Sequence, residues 1–282
     1  MKEAYAYEQI TDNRVRCQLC PHRCVIGVEG VGSCKVRKNI EGKLMALNYG
    51  ELSSLAFDPV EKKPLRHFHP GQHILSIGSF GCNFSCDFCQ NWQIAQIRPK
   101  TQFVTTEQLI GLMQSRPDNI GIAYTYNEPT VFYEYVLDTA KAVRDAGYKN
   151  VMVTNGYINP EPLKTLLQYV DAFNVDLKAF DEGFYHHICS GTLSPVMETI
   201  KAISGAAHIE ITVLLIDGYN TDERLLEEMF RWLGGLDQDM PLHLTRYFPA
   251  NRMKTPATQV ETLKKAKVIA ERYLNRVYLG NV

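Results

Sequence analysis

The sequence predicts an α/β fold built on a parallel sheet. Two observations carry that reading. From residue 73 onward, short apolar runs alternate with segments of helical spacing, and each chemistry-bearing motif in that stretch falls just after an apolar run. Alternation of this kind gives strand–helix–strand units with right-handed crossovers, and ligands then bind at the C-terminal strand ends.

The predicted strands are His73–Ile77, Ile120–Tyr124, Val151–Thr154, Ala172–Val175, Ile209–Leu215 and Leu242–Tyr247. Each is short and rich in β-branched or aromatic residues, as buried parallel strands are. Helical spacing runs over Thr105–Ser115, with Thr105 or Thr106 as N-cap, and over Phe132–Ala146, closed by Gly147. It recurs at Pro160–Val170, at Thr221–Leu233 before Gly234-Gly235, and at Pro256–Tyr273. A last short strand is expected at Arg276–Leu279. The first 70 residues differ, being rich in cysteine and glycine, with a hairpin-like run at Gly42–Asn48.

Directly after the first strand stands Gly81-Cys-Asn-Phe-Ser-Cys-Asp-Phe-Cys-Gln-Asn-Trp92. Cys82, Cys86 and Cys89 in a CxxxCxxC spacing suit three corners of a cubane iron–sulfur cluster. The fourth iron would then keep an open position for a substrate or cofactor. A zinc knuckle fits less well, because structural zinc takes four ligands, usually in two close pairs. Three unrelated core thiols are the remaining alternative.

This motif, with Phe88 just before its last cysteine, resembles the radical S-adenosylmethionine (SAM) superfamily. Glu61–Phe68, Pro70-Gly71, Gly81–Phe84 and Cys89–Asn91 are similar to the branch holding the pyruvate formate-lyase activating enzymes. Within it the chain most resembles the AmmeMemoRadiSam-system radical SAM proteins, from Cys17 to Leu279-Gly-Asn281. The resemblance implies a partial (β/α)6 TIM-like barrel over residues 71–282, behind a cysteine-rich extension over residues 1–70. It implies an oxidoreductase whose [4Fe–4S] cluster chelates SAM and reductively cleaves it to methionine and a 5′-deoxyadenosyl radical. That radical abstracts hydrogen from a small-molecule or protein substrate that the sequence does not identify. Reduced flavodoxin or ferredoxin is the electron donor implied.

The same resemblance points to SAM-contacting residues. Asn127 and Glu128 stand where the family usually has Gly-Glu, with Tyr126 replacing a further glycine. Thr154 and Asn155 follow the third strand, after Val153 where activating enzymes tend to have aspartate. Asp176 and Lys178 follow the fourth, and at i, i+2 both can point one way into the barrel. Phe88 is the adenine candidate. The bland readings are a helix-start acid at Glu128 and a plain ion pair at Asp176–Lys178. Cys189 reads as a small core hydrophobe.

Near the N-terminus, Cys17, Cys20, Cys24 and Cys34 form Cx2Cx3Cx9C with glycines between them. Four thiols satisfy a tetrahedral S4 site, for which zinc and a second iron–sulfur cluster are the alternatives. A disulfide pair or free thiols would be the non-metal reading.

Composition fits these expectations. The 282 residues carry a net charge of −1, so there is no basic footprint for nucleic acid. No run approaches the length of a membrane span, and no signal peptide is legible. Clustered cysteines without secretory features point to a reducing cytoplasm. Activation of a glycyl radical partner is a narrower alternative. A non-enzymatic iron–sulfur or zinc carrier is the alternative from another class; it explains the cysteines but not the motifs after later strands.

Overall fold

The computed structural model describes residues 1–282. Its centre is one open eight-stranded sheet. Seven strands are parallel neighbours: His73–Gly78, Asn119–Tyr124, Lys149–Thr154, Ala172–Asp176, His208–Leu215, Leu242–Arg246 and Val277–Gly280. The six expected strands are present, and the short C-terminal run joins them as a seventh. The eighth strand, Ser54–Pro59, pairs antiparallel with His73–Gly78 at the sheet edge. The segment before residue 70 therefore supplies part of the sheet itself, where the sequence suggested an extension packed against it.

Helices Thr106–Gln114, Tyr133–Asp145, Pro160–Leu166, Leu193–Ser204, Glu223–Leu236 and Val260–Ala270 connect the strands. Thr105 caps the first through a complete capping box with Gln108. Two details depart from expectation. A helix at Leu193–Ser204 fills the crossover for which no helix had been delimited. The helix at Glu223–Leu236 runs through Gly234-Gly235 instead of stopping there. Gly234 is needed for packing, because a Cβ at that position would lie 2.5 Å from the Tyr273 carbonyl oxygen.

The N-terminal segment forms two small antiparallel sheets. The expected hairpin pairs Arg37–Ile40 with Lys43–Ala46 through Glu41-Gly42, both at positive φ. Arg37 is fully buried and reaches Glu134 of the barrel at 2.7 Å. No helix is long and apolar enough to cross a membrane.

The barrel end opposite the motifs is closed by a polar knot. The Glu210 carboxylate is buried and accepts from His243 (2.6 Å), His208 (3.0 Å) and the backbone amides of Arg66 (3.0 Å) and His67 (2.7 Å). Burial alone would raise its pKa, but these donors outweigh burial and hold it at about 2. The buried charge at this end serves stability, since chemistry in such folds sits at the other face. Because the folded value lies below the usual 4.5, Glu210 contributes stability above that pH, and the contribution fades as pH falls toward 2. Glu210→Ala should cost ~3 kcal/mol at neutral pH. Urea unfolding from pH 7 to pH 3 checks this: the gap between wild type and variant should narrow on acidification, and a constant gap would refute the assignment.

Candidate active site

The loop from Gly81 to Asn91 leaves the C-terminal end of the first parallel strand. Gly81 has φ +87°, and a Cβ there would meet Cys34 O at 2.8 Å and Val36 Cγ1 at 2.7 Å. No other residue fits between strand and N-terminal segment. Since the loop is irregular, its backbone groups need partners from elsewhere. Ser85 N donates to Cys189 O at 3.0 Å, and Asp87 N to Ile188 O at 3.1 Å. Arg252 N and Met253 N both donate to Asp87 O at 3.0 Å. Asn251 reaches Cys86 O at 3.1 Å, and Gln96 reaches Phe84 O at 2.8 Å.

Cys82, Cys86, Cys89, Phe88, Asn127, Glu128, Thr154, Asn155, Asp176 and Lys178 all line one cavity of ≈400 Å³ at the strand ends. Every residue expected around cluster and SAM is thus brought together. A larger groove of ≈560 Å³ lies outside the barrel, lined by Pro21, Ile158 and Leu163, and contains none of them.

The donor set fits a cubane cluster. Three thiols face the cavity, and the Cys82 sulfur accepts from Phe84 N at 3.3 Å and Asn155 Nδ2 at 3.7 Å, as suits a thiolate. The sulfurs do not converge as ligands of a single ion do; in a cubane each thiolate binds a different iron. Cys189 was expected to be bland core, and it is fully buried. Its thiol nevertheless lies beside Cys86 and acts on it, and its carbonyl accepts from Ser85 N at 3.0 Å. It does not line the cavity, so it backs Cys86 without occupying the fourth corner.

Residues 76–233 match the radical SAM superfamily profile. The chain belongs to the radical SAM superfamily. Its cofactors are accordingly a [4Fe–4S] cluster and SAM. The chain is 43% identical over its whole length to the uncharacterized protein MJ0808 of Methanocaldococcus jannaschii, covering 86% of that protein. It is 27% identical over 72% of its length, and 79% of the relative's, to MJ1632 of the same organism, whose name provisionally describes a glycyl-radical enzyme activating enzyme. Among solved structures, a domain of pyruvate-formate lyase-activating enzyme from Bacteroides vulgatus aligns over 56% of this chain and 98% of its own, at 21% identity and TM-score 0.50. That likeness shows the fold.

Within this radical SAM cavity the residues differ in how free they are. Asn127 accepts from Ser79 N at 2.8 Å and donates to Gly81 O at 3.0 Å, which locks the strand end to the cysteine loop. Glu128 was expected to stand ready for an ammonium group. Instead its oxygens already accept from Thr130 N (2.9 Å), Thr154 Oγ1 (2.7 Å) and Asn155 N (2.8 Å). Three of about four lone-pair positions are filled, leaving one toward the cavity. Burial raises its pKa even against those donors. Lys178 lies 3.1 Å from Asp176 and 5.7 Å from the centre of the Phe88 ring. Burial works against its charge, but Asp176 and the neighbouring thiols outweigh burial and hold its pKa well above the ordinary lysine value.

Two groups were missed by sequence reasoning. Tyr126 stands at φ +70°, in the left-handed region that favours glycine and is unusual for an aromatic residue. Its hydroxyl donates to Asp58 at 2.9 Å, and Asp58 pairs with buried Lys63 at 2.8 Å. Lys63 also stands 4.8 Å over the Tyr126 ring. Only the Lys62-Lys63 pair beside the family-like motif hinted at this wall. Tyr247, just after the sixth parallel strand, is buried with its hydroxyl donating to Met253 O at 3.0 Å.

Glu128→Gln replaces one acceptor with an amide that faces N–H and O–H donors. It should destabilise the fold by about 1–3 kcal/mol. Chemical denaturation measures this, and unchanged stability would show that the carboxylate does not hold the three loops together.

Proposed function

We propose that this chain is an enzyme that reductively cleaves SAM and abstracts hydrogen from a substrate. The observation that carries the reading is the meeting of three cavity-facing thiols with charged, polar and aromatic groups from four different strand ends. A carrier protein needs the thiols but has no use for such a cavity.

In this reading Cys82, Cys86 and Cys89 hold three irons, leaving the fourth for the amino and carboxylate groups of SAM. When bound there, the cluster would supply the electron for reductive cleavage of SAM, the chemistry proposed for this site. The protein's own work is placement. Lys178 offers positive charge to a carboxylate, and Asp176 keeps that charge in place. The free lone pair of Glu128 suits an ammonium. Asn127, Thr154 and Asn155 hold the loops that frame the methionine moiety, and Phe88 presents a ring to the adenine. Cys189 lies beside Cys86 and holds the cysteine loop through its carbonyl, which accepts from Ser85 N at 3.0 Å.

The substrate is a small molecule or a protein, and a reduced flavodoxin or ferredoxin supplies the electron. Glycine hydrogen abstraction in a partner protein is the narrower reading, favoured by the name of MJ1632. Against it, Thr212 stands where the activating enzymes place a substrate-directed arginine, and its hydroxyl is spent on Asn174 at 3.0 Å. Residues 1–70 are proposed as a cysteine-rich extension that lends its strand Ser54–Pro59 to the catalytic barrel of residues 71–282.

Anaerobic reconstitution with iron, sulfide, dithionite and SAM tests the activity by chromatography of 5′-deoxyadenosine. The wild type should form it, the Cys82→Ala/Cys86→Ala/Cys89→Ala variant should not, and Lys178→Ala should need more SAM for half-maximal rate. Product from the triple variant would refute the cluster assignment. An unchanged SAM requirement in Lys178→Ala would leave that lysine only an ion-pair partner of Asp176.

A further inference from the structure

A second thiol group lies outside the cavity just described. The antiparallel pair Val15–Cys17 and Val25–Ile26 brings Cys17 opposite Cys24, with Cys17 N donating to Cys24 O at 3.0 Å. Between them Arg23 N donates to Cys20 O at 3.1 Å, with Arg23 at φ +43°, which makes a tight turn carrying Cys20. A second tight turn, closed by Lys35 N to Gly32 O at 2.8 Å, carries Cys34. Cys24 Sγ and Ser33 Oγ, 3.4 Å apart, join the two turns. Cys17, Cys20 and Cys34 are buried, and no disulfide links any of the four.

Buried free thiols in facing turns are one observation, and Arg37 supplies another. Its guanidinium is 2% exposed, and its Nε has no hydrogen-bond partner. Apart from Glu134, the ionisable groups acting on its charge are Cys17 and Cys34. A buried donor without an acceptor is costly. A thiolate bound to a metal would supply both the acceptor and the negative charge, which a neutral thiol does not.

We infer that Cys17, Cys20, Cys24 and Cys34 form a tetrathiolate site for a thiophilic metal centre, a zinc ion or an iron–sulfur cluster, which braces the loop carrying Cys82. The four sulfurs are not arranged as ligands of one ion are; sites of this kind take their final geometry on metal binding. The brace is visible in the contacts around it. Cys34 O packs against Gly81, and His22 Nε2 meets Asn83 O at 2.7 Å. Asn159, after the third parallel strand, donates to Gln18 O at 2.6 Å and Cys20 O at 3.1 Å. Both loops that frame the cavity therefore rest on the cysteine turns.

Metal analysis of the purified full-length chain tests the inference. The variant lacking Cys82, Cys86 and Cys89 should retain about one zinc, or about four irons, per chain. X-ray absorption should show sulfur as the only directly bonded donor, at about 2.3 Å, with iron neighbours in addition only if the site holds a cluster. Zinc or iron there supports the site and names its metal; neither would overturn it. Should that variant not fold, the wild type decides. About four irons with one zinc, or about eight irons, supports the site, and about four irons alone overturns it. In the wild-type background, Cys20→Ser should lose this metal, lower the melting temperature and load less iron in the barrel. Loss of the metal with unchanged melting and barrel iron would overturn the bracing role.

Discussion

The cavity depends on an irregular loop that cannot satisfy its own backbone. Eleven residues from Gly81 to Asn91 must present three sulfurs to one space, so they follow neither helix nor strand. Their amides and carbonyls are met by Asn127, Gln96, the Ile188–Cys189 carbonyls, Asn251 and the amides of Arg252 and Met253. Those partners come from four separate parts of the chain. The π-helical turn Tyr185–Cys189, a form common at functional sites, is one of them. Its geometry places two consecutive carbonyls on the loop, the Ile188 oxygen on Asp87 N and the Cys189 oxygen on Ser85 N.

Charge is distributed between the two barrel ends on different terms. At the closed end, Glu210 is satisfied fully by four donors, and the result is a low pKa and a stabilising knot. At the mouth, Glu128 is satisfied only in part and its pKa rises, while Lys178 and Asp176 form a pair with Asp176 still 39% exposed. Incomplete satisfaction is a cost in a core and an opportunity in a binding site. The contrast separates groups that hold the fold from groups that can receive a ligand.

The strand–helix alternation was legible because parallel strands buried on both faces read as apolar runs, and the motifs sat at their ends. The CxxxCxxC loop and the residues after later strands could be placed in one cavity on that basis. The edge strand Ser54–Pro59 could not, since its faces are mostly solvent-exposed or half-buried and it ends in proline. Gly234-Gly235 looked like a helix stop because the close Tyr273 carbonyl is a tertiary fact. The place of buried Cys189 beside Cys86 and the wall that Tyr126 forms with Asp58 and Lys63 were not legible for the same reason. Cys189 becomes a cluster neighbour only through the π-helical turn, and Tyr126 holds a glycine-like conformation that no local pattern announces. Glu128 was found, but its three partners come from its own turn and the next strand's loop, and only coordinates could reveal that they use most of its capacity.

The central claim is that three cysteines leave one iron open to SAM inside this cavity. Electron–nuclear double resonance on the reduced cluster, with SAM carrying 15N in its amino group, tests it most directly. The account predicts a hyperfine coupling large enough to require direct iron–nitrogen bonding, lost when unlabelled SAM replaces the labelled form. A reduced cluster whose spectrum is indifferent to SAM, with no coupling to the label, would contradict it.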